Sequence, residues 1–156
     1  MEDSNLNRIK QENYKEQFAR LKKSIAGGFN LEAVFIEYSI MEDRTEAILR
    51  HAGKWEKYLR KREKRGPTLN SKISYITAQA ASDRKDPLFR YFSDDLLDRI
   101  LQWKEDRNRM VHALLNQNYG EEDIHIIAIN GKDLADKLRN RTGSYKKALE
   151  RKSKKI

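Results

Sequence analysis

Three side chains suited to chemistry stand close together in this sequence: Arg107, Asn108 and His112. An imidazole exchanges protons near neutral pH, a guanidinium offers phosphate a planar fork, and an amide orients either. At about 100° per residue, Leu96, Ile100, Trp103, Met110, Val111 and Leu114 project into one apolar arc of a helix. Arg107 falls near the middle of that arc, where a charge that cannot be lost needs an anionic or acceptor partner. Asn108 and His112, four apart, share the arc's edge. A second oddity lies upstream. Glu42 projects between Phe35 and Leu49, inside the main apolar stripe of another helix, where an unpaired carboxylate is costly. The expected solution is a Glu42–Arg107 bridge that holds the arginine in a fixed pose for a phosphate. Glu37, Asp43 and Arg44 fall outside that stripe and read as solvated or dimer-rim positions. His51 and His125 lie apart from any acidic cluster and read as surface or packing residues.

Helices must position these groups. A first helix is predicted over 5–25, with Leu6, Ile9, Phe18, Leu21 and Ile25 as a broken stripe and Gly27-Gly28 as its stop. The second starts after Asn30, read as its cap, and runs to about Ala52. Leu31, Val34, Phe35, Tyr38, Met41, Thr45, Ile48 and Leu49 form its main stripe, and Ile36, Ile40 and Ala47 an opposite one. Cover on two faces makes it central. Residues 54–66 hold seven basic and two acidic side chains and read as a solvated helix end or exposed connection. In functional terms, Lys61, Arg62, Lys64 and Arg65 there, with Arg109 between Arg107 and His112, are the candidate RNA contacts. A third helix is predicted over 68–82, and Asp86-Pro87 breaks the chain before an aromatic connector at 88–92. The helix carrying Arg107 is expected from Ser93, its cap, to Asn118, packed on the helix at 31–52. Residues 121–129 read as helix for want of a partner strand, and a separate last helix follows Asn130-Gly131. Residues 1–150 form a single domain in this reading. The basic tail at 151–156 is expected to fray.

Composition narrows the class. The chain has 156 residues, 7 Gly and 2 Pro, too little punctuation for a sandwich or barrel. Seven Tyr, five Phe and two Trp argue against disorder. No apolar run approaches the ~20 residues of a membrane span, and MEDSNLNRIK does not read as a signal peptide, so a cytoplasmic location is expected. Zero Cys excludes disulfides, thiolate zinc sites and cysteine nucleophiles. No P-loop, dinucleotide fingerprint or His-Glu-x-x-His site is present, and no cofactor or metal is expected. The net charge of +9 favours a polyanionic partner, nucleic acid first.

The string Arg107-Asn108-Arg109-Met110-Val111-His112 resembles the R-x4–6-H motif of HEPN domains, with a polar residue after the arginine. The surrounding WKEDRNRMVHALL, the EYSIMEDRTEAIL helix and the all-helical layout are similar too. The resemblance implies an all-α, up-and-down bundle of about five helices, commonly dimeric, with two motif copies facing each other. It implies metal-independent ribonuclease chemistry of the kind found in toxin–antitoxin and phage-defence systems. A ribose 2′-OH would attack the adjacent phosphorus, with His112 moving protons and Arg107 bracing the phosphate. Asn108 would orient phosphate or imidazole, and Glu42 would support Arg107. An antitoxin or another defence protein is then a possible partner. The competing readings are a non-catalytic HEPN-like module for RNA or protein, and a basic helical DNA-binding protein. No recognition-helix signature supports the last.

Overall fold

The computed structural model describes residues 2–116 and 119–155, with no account of the side chains of residues 2 and 3. Every regular element among them is a helix: α1 (Glu2–Ala26), α2 (Asn30–His51), α3 (Trp55–Arg62), α4 (Leu69–Ser82), α5 (Pro87–Phe92), α6 (Leu96–Ala113) and α7 (Glu121–Lys154). Among the described residues, none is long and apolar enough to cross a membrane. The helical bundle matches expectation. Its parts are seven rather than about five.

Punctuation explains most boundaries. Gly28 takes φ 79° where the chain leaves α1, and Phe29 N–H closes back on the Ser24 carbonyl at 2.8 Å. Thr68 and Ser71 cap α4 reciprocally through side chains and backbone. Asp86 accepts from Leu88 N–H at 2.8 Å with Pro87 in the first turn, so the aromatic connector is itself a short helix. Two expected caps fail. Phe29 takes the cap position of α2, and Asn30 is instead a buried first-turn residue bonded at 3.0 Å to His125 Nδ1. Ser93 ends α5, and Asp95 stands at the cap of α6. That helix stops at Ala113, and Asn118, its expected end, lies outside the described residues.

The largest departure is α7. The expected interruption at Asn130-Gly131 is absent, and one 34-residue helix runs through it. Ile124, Ala128, Gly131, Ala135, Leu138, Thr142 and Tyr145 recur at three and four spacing and are all buried. Small residues in that row let α7 approach closely, so α7, not α6, is the main partner of α2. The two run parallel: Asn30 meets His125, and Glu37 meets Gly131. Antiparallel α1 covers α2, with Lys10 on Asp43 at 3.1 Å and Arg20 on Glu32 at 3.5 Å. Antiparallel α6 covers α7, with Trp103 Nε1 donating to the Ile127 carbonyl at 2.9 Å. The expected packing of α6 on α2 is thus replaced by a shared seat on α7. As expected, α2 is central, with α1, α4 and α7 around it.

Two further expectations are corrected. The basic stretch after Gly53 is not a bare connection, because Trp55 and Tyr58 anchor α3 in the core. The basic tail continues α7 as helix to Lys154 rather than fraying, although its side chains beyond Leu149 are exposed.

Candidate functional site

Residues Arg107, Asn108 and His112 occupy the second half of α6, where Arg107 meets the N-terminal half of α2. Leu31 and Phe35 of α2 were expected in the core, yet both are exposed, Phe35 by 65%. The buried face there is Ala33, Ile36, Glu37 and Ile40, which follows i, i+3, i+4, i+7 spacing and turns Phe35 and Tyr38 towards α6.

Arg107 is half-buried against these rings. Its guanidinium carbon lies 4.3 Å from the Tyr38 ring centroid and 5.9 Å from that of Phe35, a desolvated cation–π seat. Nη1 donates to Asn108 Oδ1 at 3.1 Å. Nε is buried with no acceptor, and Nη2 makes no hydrogen bond within the described residues. The partner expected for a buried arginine is therefore a pair of aromatic faces and a neighbouring amide. It is not Glu42.

Glu42 pairs with Lys72 of α4. Lys72 Nζ bonds the Glu42 carboxylate and also donates to the Glu42 carbonyl at 2.7 Å. Only 4% of the Lys72 side chain is exposed, so the carboxylate neutralises a charge that has no other outlet. The signal for this was present in α4, where Leu69, Lys72, Ile73 and Ile76 share one face. Glu42 still reaches the motif indirectly, because Tyr38 stands beside it. Burial raises the Tyr38 phenol pKa; the Glu42 carboxylate pushes the same way and Arg107 opposes.

His112 is exposed in the last turn of α6, one turn beyond Asn108 on the same face. It has no hydrogen-bond or ion-pair partner among the described residues. Asn108 is committed to Arg107 rather than to the imidazole. Exposed apolar side chains neighbour His112: Val111 on the same helix, and Leu114 and Leu115 just past its end, Leu115 by 97%. Several exposed apolar side chains close in sequence to an exposed His make an unusual solvent face.

The remaining candidates divide. Arg109 is exposed and paired with Asp106 on its own helix. Lys61, Arg62 and Arg65 line an open groove between α3 and α4, while Lys64 is exposed outside it. Asp43 and Arg44 pair at 2.6 Å beneath α1, where Arg44 stacks 4.4 Å over Tyr14, so they are not a free rim. His125 holds Asn30, as a packing residue would. His51 is half-buried, and burial together with Lys146 and Arg44 lowers its pKa.

Glu37 is the functional-type residue that periodicity misplaced. It is 0% exposed at the junction of α2, α6 and α7, and neither carboxylate oxygen has a hydrogen-bond partner. Burial pushes its pKa to about 9, against the pull of Lys132 and with a push from Asp136. The direction of that shift favours the protonated carboxyl. Comparison of the chain with protein-family models, with curated proteins and with solved structures found no match.

Proposed function

We propose that this protein is a HEPN-type endoribonuclease, independent of metal, whose site is completed by two copies of the Arg107–His112 segment in a homodimer. The observation that carries the reading is the pose of Arg107. A guanidinium stacked on Tyr38 and held by Asn108 keeps Nη2 available, which is a preorganised seat for a phosphodiester oxygen. The exposed apolar surface around His112 supports association through this face.

In that dimer the chemistry balances without a cofactor. His112 of one subunit takes the proton from a ribose 2′-OH as the oxygen attacks phosphorus. The bond from phosphorus to the 5′-oxygen breaks, and the partner subunit's His112 gives that oxygen a proton. Arg107 stabilises the charge gathered on the phosphoryl oxygens. The products are a 2′,3′-cyclic phosphate and a free 5′-hydroxyl. A toxin or phage-defence role, with an antitoxin-like protein as a restraining partner, follows the resemblance of the motif.

The test is cleavage of mixed RNAs, and of a matched 2′-deoxy oligonucleotide, with and without EDTA. We expect RNA alone to be cut, EDTA to have no effect, and His112→Ala to lose about 10²–10⁴ in rate. Light scattering should give a dimer. Cleavage of the deoxy strand or full activity in His112→Ala refutes the mechanism. A dimer that cuts no RNA favours the non-catalytic binding module.

A further inference from the structure

The groove between α3 and α4 lies outside the Arg107–His112 segment and gathers three of the cations named above as candidate RNA contacts. Its volume is about 530 Å³, within the range of small-ligand sites. Lys61, Arg62 and Arg65 supply the charge, and no Asp or Glu lines it. None of the three cations comes within 4 Å of a carboxylate among the described residues. A second open groove of similar volume, about 540 Å³, shows what an ordinary surface looks like here. Its Arg141 is taken by Asp94 at 2.6 Å and its Lys137 by Asp133 at 2.9 Å.

Two of the three cations of the first groove have contacts that orient them. Arg62 Nη2 donates to the Gly66 carbonyl at 2.9 Å, and its Nε is buried with no acceptor. Lys61 Nζ stands 5.7 Å from the centre of the Tyr75 ring. Arg62 and Arg65 are the two ends of one tight turn, closed by Arg65 N–H on the Arg62 carbonyl at 3.0 Å. Within it Glu63 adopts φ 55° and ψ −121°, the first central position of a type II′ turn, where glycine is usual. Three like charges around one concavity repel each other, and an anion placed between them relieves the repulsion.

The facing wall selects among anions. Thr68 and Ser71 are occupied with capping α4, and Tyr58 Oη is 2.6 Å from Ser71 Oγ. Asn70 and Ser74 remain exposed, without a hydrogen-bond partner among the described residues, as donors and acceptors for hydroxyl groups. A bare phosphate would leave most of the volume empty. We propose that this groove binds a nucleotide unit, its phosphate on Arg62 and Arg65 and its sugar towards Asn70 and Ser74. The unit comes either from a single RNA strand or from a free nucleotide.

The experiment reads binding, so it stands whether or not His112 is catalytic. His112→Ala protein is titrated into a labelled six-nucleotide RNA by anisotropy across a salt series, and 5′-AMP and inorganic phosphate are titrated separately by calorimetry. The same is done with Lys61→Gln/Arg65→Gln added, and with Arg90→Gln/Lys137→Gln added as a charge-matched control in the second groove. Arg65→Gln alone is a second variant, and circular dichroism confirms folding. The groove variant should lose at least tenfold in affinity, and its salt slope should fall by about 1.4, two phosphates at ~0.7 each on a single strand. The control should lose less than threefold. Tighter binding of RNA than of 5′-AMP names the strand as the source; tight 5′-AMP that competes with RNA names the free nucleotide. Equal losses in both variants, or no binding of RNA or 5′-AMP by the parent protein, overturns the proposal.

Discussion

The Arg107 guanidinium carbon lies 4.3 Å from the centroid of the Tyr38 ring, and Nη1 donates to Asn108 Oδ1. Ring and amide together take the place of a counter-ion. Such a seat suits a residue that must receive an anion, because a carboxylate partner would compete with phosphate for the same fork.

Removing the ring should therefore matter more than removing its hydroxyl. Tyr38→Leu and Arg107→Ala should each destabilise by about 1 kcal/mol, with a double variant costing less than their sum. Tyr38→Phe keeps the stacking surface and should stay close to wild type. Urea denaturation of the four proteins checks this; strict additivity would show that the stacking contributes nothing.

Glu42 and Lys72 should behave as a unit. Lys72→Met strands the carboxylate and Glu42→Gln strands a buried ammonium, each at about 3 kcal/mol or more. The Glu42→Leu/Lys72→Met pair should recover most of that loss. In double-mutant cycles the Glu42–Lys72 coupling should be about 1–3 kcal/mol, and larger than any coupling of Glu42 to Arg107.

Glu37 gives stability a definite pH dependence. Its carboxyl titrates near 4.5 in the unfolded chain and at about 9 in the fold. The unfolded state sheds the proton first, so this contribution is full below about pH 4.5 and is lost as pH rises towards about 9. Glu37→Gln has no such proton. Melting temperatures of the two proteins at pH 5, 7 and 9 should diverge in favour of the Gln variant as pH rises. Parallel curves would mean that Glu37 is ionised in the fold.

Two glycines of α7 should respond oppositely to alanine. A Cβ on Gly131 would meet the Glu37 carboxyl, 2.7 Å from its Cδ, and Trp103 Cε2 at 2.8 Å. Overpacking of this kind costs about 1–3 kcal/mol, more than the helix propensity that alanine brings. A Cβ on Gly143 meets nothing within 4 Å, so Gly143→Ala should stabilise by up to about 1 kcal/mol. Thermal melts of the two variants decide it.

The helical class and most breaks were legible in the sequence because they are local. Gly27-Gly28, Asp86-Pro87 and the scarcity of Gly and Pro act on the backbone within a few residues, whatever the rest of the chain does. The inward placement of Arg107 was legible for the same reason, since periodicity reports which side of a helix a residue occupies. Periodicity does not report what stands opposite. Lys72 and Arg107 were both available to Glu42, and only the packing of α2 against α4 brings the Lys72 ammonium onto its carboxylate. Asn130-Gly131 reads locally as a stop, yet in the fold Gly131 is the point where α7 closes on Glu37 and Trp103. The gain from that close packing outweighs glycine's cost of about 1 kcal/mol in a helix. Glu37 occupies a core position by spacing and a surface position by charge. The tertiary structure decided for the core, because a buried carboxyl can keep its proton and so avoid carrying a charge out of water.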